Sequence, residues 1–526
     1  MGKLTRRIMA GMFAASMMSV VPALAADLKI GIKTEPSSLD PQFHVLVPNV
    51  QISFAIFDPL VMMDEKLVPQ PALAESWKTV TDTSWEFKLR NAKFSDGTEL
   101  TADDVVFTFD RVAKVPNSPT SFTLFTRQIE KVEAVDPHTV RITTKQPYPL
   151  LLTDIANLPI MSKAAASGSA PEGKTTVELN RGEGLIGTGP FKFKSWQKGA
   201  EIVLERNEHY WGNAPAWDQV IYRPMTNPAA RAAALLSGDI DMMEDPPTAD
   251  LPQMKANPKL SVSEAPGTRI VYIALDQTGE PSPGIAGAGD RNPLKDKRVR
   301  EALSLSIDRQ AIVDRIMSGV AVPAGDLLPY PMFGSIEKRS NAPAADVEKA
   351  KALLTEAGYP GGFQLTLGTP NGRYVNDSRV AQTIAAMWTR AGVKTEVAAV
   401  APPVFFKNRD SFQYSAYLAA WGNSTGEMST TLRSLVATRD PSKGAGTSNG
   451  GRYSNPELDK LIQEASSTMD DEARSELLQR ADDMVLSDYG ILPIHFEVPV
   501  WALRAGLSYP ARADQFTLAQ GVVAAK

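Results

Sequence analysis

Residues 84–111 read SWEFKLRNAKFSDGTELTADDVVFTFDR. Trp85, Phe87 and Leu89 alternate with Glu86, Lys88 and Arg90, the period-two pattern of a strand with one buried and one wet face. Ser95, Asp96, Gly97 and Thr98 supply the short polar and φ-permissive residues of a chain reversal. Past the reversal the period becomes helical: Val105, Phe109 and Val112 fall at i, i+4 and i+7 and predict one buried face. The Thr101 hydroxyl is placed to cap this helix. Asp103 and Asp104 stand in its first turn, where carboxylates meet unpaired amides and the positive dipole end. Strand, turn and helix in this order predict a mixed α/β structure and carry no function by themselves.

The wording of the stretch carries more. FKLR followed by KFSDGTELTADDV resembles the signature of the family 5 extracellular solute-binding proteins, the peptide-, glutathione- and nickel-binding subunits of ABC importers. GTGPFKF at 187–193, RNEHYWG at 206–212 and NPLKDKRVREALSLSIDR at 292–309 are similar to that family too, so the resemblance covers almost the whole mature chain. It implies a mixed α/β, two-lobed periplasmic binding protein with an extra α/β subdomain. By the same resemblance lobe one is discontinuous (26–57, 185–267 and 493–526), the subdomain is 58–184 and lobe two is 268–492.

Size and composition agree with a protein of this kind. A chain of 526 residues is too long for one core and predicts two or more domains. A formal net charge of −5 gives no basic footprint for nucleic acid. Lys3, Arg6 and Arg7, the apolar run 8–21 and Ala23-Leu24-Ala25 are the parts of a secretory signal peptide, predicted as residues 1–25. The run is shorter than the ~20 residues a bilayer span needs, and it stops at Pro22. Thr5-Arg6-Arg7 weakly resembles a twin-arginine signal, so the export route stays open. Loss of the signal takes away three cations and no acid and leaves −8. Cysteine is absent, which removes disulfides, thiol nucleophiles, thiolate metal sites and the lipid-anchoring Cys of tethered binding proteins. A free protein of the periplasm is expected.

Along the chain, 27–32 is strand-like and 35–41 breaks into a loop, which the family places at the rim of the ligand cleft. Residues 77–89 and 132–143 read as strands of one small sheet beside the Thr101 helix, and 164–184 reads as a surface connection. Paired strands are expected at 191–196 and 202–206, another at 220–223, and a helix at 227–237 stopped by Gly238. A strand at 268–276 opens the second part. There 299–316 reads as one long amphipathic stretch, followed by helix 346–357, strand 363–367, helix 380–391, strand 393–400 and helices 456–469 and 471–487. The apolar run 491–501 is placed to return to the first domain.

Two sequence matches suggest nucleotide chemistry and fail on context. GSAPEGKT at 168–175 fits the phosphate-loop pattern, but the TTVELNRGEG after it is too short and glycine-broken to be the helix whose amides hold phosphates. Gly182, Gly184 and Gly187 spell G-x-G-x-x-G, but Thr188-Gly189-Pro190 stands where a helix should open. His44, His138, His209 and His495 are scattered, with no HExxH and no G-x-S-x-G, so no catalytic residue, metal site or cofactor is predicted.

What remains is a binding pocket. The resemblance assigns ligand contact to the loop AAWGNSTGEMSTTLRSLV, with Trp421 covering or stacking on the solute and Asn423, Ser424, Thr425 and Glu427 as hydrogen-bond partners. Arg373, after an Asn371-Gly372 turn, is placed to clamp a carboxylate, and Tyr272 sits in the strand that opens lobe two. Many peptide-binding members carry Asp three residues after the Trp as counter-charge for the peptide ammonium. Ser424 stands there, and Glu427 is the nearest substitute acid. The expected function is solute capture for an ABC permease, with a short peptide or peptide-like solute such as glutathione as cargo and the protein monomeric. An opine, sugar, nickel or haem complex as cargo, and a periplasmic hydrolase, remain as alternatives.

Overall fold

The computed structural model describes residues 27–119 and 121–525; the predicted signal peptide lies outside them. Residues 84–111 form the strand Ser84–Leu89, with Trp85, Phe87 and Leu89 buried, and the helix Ala102–Val112, with Val105, Phe109 and Val112 buried. The reversal between them places Gly97 at φ +87°, a region open to glycine at little cost. Thr101 and Asp104 form the capping box at the start of this helix, where the Asp104 carboxylate accepts the Thr101 N–H at 2.8 Å and the Thr101 hydroxyl at 3.0 Å.

Each strand expected around this helix is a hairpin. Asp82-Thr83 divides Ala74–Thr81 from Ser84–Leu89, and Pro137-His138 divides Ile129–Asp136 from Thr139–Thr144, giving a four-stranded antiparallel sheet. The stretch 164–184 is more structured than a surface connection. It holds the short helices Lys163–Ala166 and Thr176–Asn180, and it lies against Arg111 of the Ala102–Val112 helix. Arg111 is buried, forks onto Asp40 at 2.9 and 2.7 Å, and donates to the carbonyls of Glu172 and Lys174. The GSAPEGKT segment therefore turns carbonyls toward a cation, the opposite polarity to a phosphate cradle. Lys174 pairs with Glu178 at 3.0 Å.

Two seven-stranded sheets carry the rest. The first runs Leu260–Glu264, Val500–Arg504, Met242–Glu244, Asp27–Ile32, Gln219–Pro224, Glu201–Arg206, Phe191–Gln197. The second runs Ile285–Ala286, Phe363–Pro370, Ala416–Trp421, Ile270–Leu275, Leu492–Glu497, Ala321–Pro323, with Val393–Val400 on Phe363–Pro370. Ile270–Leu275 is buried on both faces. Val271, Ile273 and Leu275 face a core shared with helices such as Asp377–Ala391, and Ile270, Tyr272 and Ala274 face another shared with helices such as Asp471–Ser487. That is the layering of an α/β unit with helices on both sides.

The stretch 299–316 is two helices, Lys297–Leu305 and Arg309–Arg315, because the Asp308 carboxylate caps the second through the Ala311 N–H at 2.9 Å. The run 491–501 is likewise divided. Leu492–Glu497 belongs to the second sheet and Val500–Arg504 to the first. The other passage between sheets, from Leu260–Glu264 to Ile270–Leu275, runs beside it: the Gly267 N–H donates to Glu497 O at 3.1 Å and the Glu497 N–H to Arg269 O at 2.9 Å. A Cβ on Gly267 would stand 2.8 Å from the Glu497 carbonyl oxygen, so the two passages need glycine there to lie this close.

Candidate functional site

A cavity of about 890 Å³ lies where the two sheets and the four-stranded subdomain meet. The first sheet and its loops supply Lys33, Glu244, Asp245 and Trp501, the subdomain Arg127, Tyr148 and Asp154, and the second sheet Tyr272, Arg373 and Trp421. Aromatic and apolar walls with convergent polar groups are what a small-molecule site requires.

Five of the seven residues expected at the site line this cavity: Trp421, Ser424, Thr425, Arg373 and Tyr272. Trp421 ends the strand Ala416–Trp421 opposite Ile270, and its indole N–H has no partner among the described residues. Tyr272 is 2% exposed, and burial holds its phenol well above the ordinary value. Arg373 sits on a braced turn: the Asp377 carboxylate accepts the N–H groups of Gly372, Arg373 and Tyr374 at 2.8 to 3.0 Å, and the guanidinium is left with no ion-pair partner among the described residues. The side chain of Ser424 makes no hydrogen bond within the described chain.

Asn423 and Glu427 do not line the cavity. The Asn423 amide donates to Glu427 O (2.8 Å) and the Thr431 hydroxyl (2.9 Å) and accepts from the N–H groups of Thr425 (3.0 Å) and Gly426 (2.8 Å), so its hydrogen-bonding capacity is spent bracing the loop. The Glu427 carboxylate is buried 3.4 Å from Arg474 Nε, and burial raises it above the usual carboxylate range despite that arginine. Both face the interior, as loop braces must. Residues of the loop 35–41 are also off the lining. Glu35 accepts the Trp196 indole N–H at 2.8 Å and Asp40 holds Arg111, while the flanking Lys33, Thr34 and Val45 to Pro48 reach the cavity.

Sequence reading missed most of the cavity's charge. Lys33, Arg127, Arg269, Arg409 and Arg433 join Arg373, against Asp154, Glu244 and Asp245. Lys33 pairs with Asp245, which raises the lysine; Arg269 lies 3.3 Å from Glu497, and Arg409 bonds Asp410 at 2.8 Å. Glu244 is raised by burial and accepts the Lys33 N–H at 2.6 Å and the Thr517 hydroxyl at 2.9 Å. Asp154 accepts the Tyr148 hydroxyl at 2.6 Å, and burial pushes its carboxyl up to about 7. No local pattern marks these residues, because they come from turns and helix ends far apart in sequence.

The motifs behind the resemblance serve the scaffold. Asp58, buried and pushed up to about 6 by that burial, accepts from Thr188 of GTGPFKF at 3.0 Å and from the Trp211 indole of RNEHYWG at 2.8 Å. Arg90 of FKLR lies over the Trp211 ring, 3.7 Å from its centroid. Arg309, closing the 292–309 motif, is buried and donates to Pro493 O at 2.7 Å. Among the described residues no cluster of three or more His, Cys, Asp or Glu could hold a metal ion, and no helix is long and apolar enough to cross a membrane.

Known proteins resemble this chain over most of its length. The chain is 27% identical over 517 residues to the glutathione-binding protein of Salmonella choleraesuis, covering 96% of each chain. It is 29% identical over 453 residues to heme-binding protein A of Haemophilus influenzae, covering 82% of this chain and 79% of that one. The structure of the Escherichia coli murein tripeptide binding protein superposes with a TM-score of 0.75 at 26% identity, covering 96% of this chain and 99% of that one. The profile of the bacterial extracellular solute-binding proteins, family 5 middle region, matches residues 68–443. With a two-lobed fold, a cavity between the lobes and a family profile across most of its length, this chain belongs to the family 5 bacterial extracellular solute-binding proteins.

Proposed function

We propose that the protein is the solute-binding subunit of an ABC importer, free in the periplasm and without enzymatic activity, that captures a short peptide or peptide-like solute and delivers it to membrane permease subunits. One observation carries the reading: the cavity of about 890 Å³ is walled by both sheets and the subdomain at once, so a solute that fills it bridges the two sheets. A ligand in that position stabilises the closed arrangement by the difference between its contacts in the closed and open forms, and closure is the state a permease can read. The lobes are residues 26–57, 185–267 and 493–526 for one and 268–492 for the other, with the last boundary moved to about 498 because Leu492–Glu497 pairs in the second sheet, and 58–184 is the subdomain. Within the lining, Trp421 covers the solute, Ser424 and Thr425 offer hydroxyls and Arg373 takes a carboxylate.

Mass spectrometry of solute released from the purified native protein tests the reading. A peptide or peptide-like molecule bound one to one supports it. Cleavage of added peptides by the purified protein would replace importer with hydrolase.

A further inference from the structure

The cationic lining is unevenly satisfied. Three of the six cations have carboxylates at ion-pair distance: Lys33 with Asp245, Arg269 with Glu497 and Arg409 with Asp410. Arg127, Arg373 and Arg433 have none among the described residues. Arg127 and Arg433, moreover, stand side by side. A Cβ built on Gly444 would lie 2.7 Å from Arg127 Nη1 and 3.8 Å from Arg433 Nη2, so the two guanidiniums converge on one spot from opposite elements. Arg127 follows the helix Thr123–Thr126 of the subdomain, and Arg433 is in the last turn of Met428–Leu435 of the second lobe.

Two cations brought together in a partly dewatered place repel each other unless an anion comes between them. The acid facing them, Asp154, is beyond ion-pair distance and is tied to the Tyr148 hydroxyl at 2.6 Å. Burial first, and Arg127 next, lower the Arg433 guanidinium below its ordinary value. Among the described residues the Arg433 guanidinium makes one hydrogen bond, to Lys443 O at 2.7 Å, so most of its fork is unused. Hydroxyls also line the cavity: Ser429, Thr430, Ser434 and Thr447. A protein that is acidic overall has thus placed unmatched positive charge inside its solute cavity.

We propose that Arg127 and Arg433 form an anion clamp closing across the cavity on a carboxylate of the cargo, so that the imported solute is an acidic peptide-like molecule with at least two carboxylates, one here and one at Arg373. The proposal rests on the importer reading and narrows its cargo. Guanidinium forks match planar carboxylates through paired N–H donors, and an anion held by both adds a bridge from the subdomain to the second lobe beside the contact Arg127 already makes at Gly444.

Calorimetry on the purified mature protein tests this with paired probes: the dipeptide Glu-Glu, its neutral isostere Gln-Gln, glutathione, and inorganic phosphate as competitor. Glu-Glu or glutathione is expected to bind about ten-fold or more tighter than Gln-Gln. R127Q and R433Q are each expected to lose about ten-fold toward the acidic probes while changing Gln-Gln less than about two-fold, with R379Q, an exposed arginine off the cavity, changing neither. Equal binding of Glu-Glu, glutathione and Gln-Gln, or equal weakening of all three in the variants, overturns the clamp and leaves the importer reading standing. Displacement of the acidic probes by phosphate at matching concentration overturns the carboxylate assignment. Cleavage of the probes, in contrast, removes the importer reading itself.

Discussion

Glu427 and Arg474 form a buried ion pair, Oε1 to Nε 3.4 Å, with side chains 8% and 7% exposed, on the far side of the loop from the cavity. Arg474 also lies over the Phe333 ring, 4.5 Å from its centroid, and reaches Asp471 at 2.7 Å. Glu427 is thereby occupied as a structural counter-ion and does not stand in for the Asp that Ser424 replaces. Removing it should act on stability. Glu427→Gln is expected to lower the unfolding free energy by up to ~3 kcal/mol, the lower end for breaking a buried pair, because Asp471 still attends the arginine. Urea denaturation measures this, and solute affinity in the folded variant should stay within about two-fold of the parent.

Ser424 lines the cavity with no side-chain hydrogen bond among the described residues, and the lining acids are engaged elsewhere: Asp245 with Lys33, Glu244 with the Lys33 N–H and the Thr517 hydroxyl, and Asp154 with the Tyr148 hydroxyl. A plain dipeptide therefore buries its ammonium without a dedicated carboxylate beside Trp421, which is costly. Ser424→Asp should tighten binding of a neutral-side-chain dipeptide by roughly ten-fold. Calorimetry on parent and variant decides it: tight binding by the parent, or no gain in the variant, would show that the ammonium is held elsewhere.

Arg373 is exposed on a turn braced by Asp377, so its loss leaves the backbone undisturbed. Arg373→Ala should weaken a carboxylate-bearing solute by at least ~1.5 kcal/mol and leave melting of the empty protein nearly unchanged. Affinity equal to the parent's would make Arg373 a solvated loop residue.

Binding should register in the whole molecule. A solute at 100 times its dissociation constant adds roughly 2.7 kcal/mol to stability, a melting shift of a few degrees for a chain this long. Small-angle scattering should show a smaller radius of gyration with solute than without, and an unchanged radius at saturation would sink capture by closure.

Asp326 and Asp482 meet in the second lobe, both almost wholly buried. Asp326 accepts the N–H groups of Leu327, Leu328 and Ile336, and Asp482 has no N–H donor among the described residues and faces Asp326. Burial raises both carboxyls above the ordinary 3.8, Asp482 the further, with its neighbour's charge adding to the effect. The folded pair thus keeps a proton that the unfolded chain releases. Stability from it is complete below the ordinary carboxylate value and drains away as pH rises through the raised folded value. Melting temperature should fall with rising pH over that range. Asp482→Asn, whose amide donates to Asp326 without a proton, should flatten the fall, and parallel pH profiles of parent and variant would overturn the assignment.

The scaffold was more legible in the sequence than the site, for a physical reason. Strand, reversal and helix in 84–111 are written in local periodicity, and the helices at 228–237 and 377–391 end where Gly238 and Gly392 take left-handed φ. The motifs of the resemblance are residues such as Asp58, Trp211 and Arg309, whose tertiary partners allow little substitution. Cavity residues carry no such imprint. Arg127 and Arg433 meet only through the fold, and nothing near either in sequence announces the other. The loop after Trp421 was located, but not which of its side chains turn inward, since Asn423 and Glu427 differ from Ser424 only in what they find behind them. Apolar pattern runs through the breaks at Asp308 and at Val498-Pro499, so periodicity alone does not mark them.

The two adjacent passages between sheets have a topological consequence. Glu264 stands opposite Val500 in the first sheet and Ile270 opposite Phe496 in the second, so both pairs belong to one antiparallel ribbon that continues from sheet to sheet. Everything from 265 to 499 is, in connectivity, the loop of a single long hairpin whose stem starts in the first lobe. A two-stranded ribbon bends readily across its face and resists splaying in its plane. Among the described residues the chain passes between the sheets only at 265–269 and 497–499, so bending of one lobe on the other is carried by that one pair of strands.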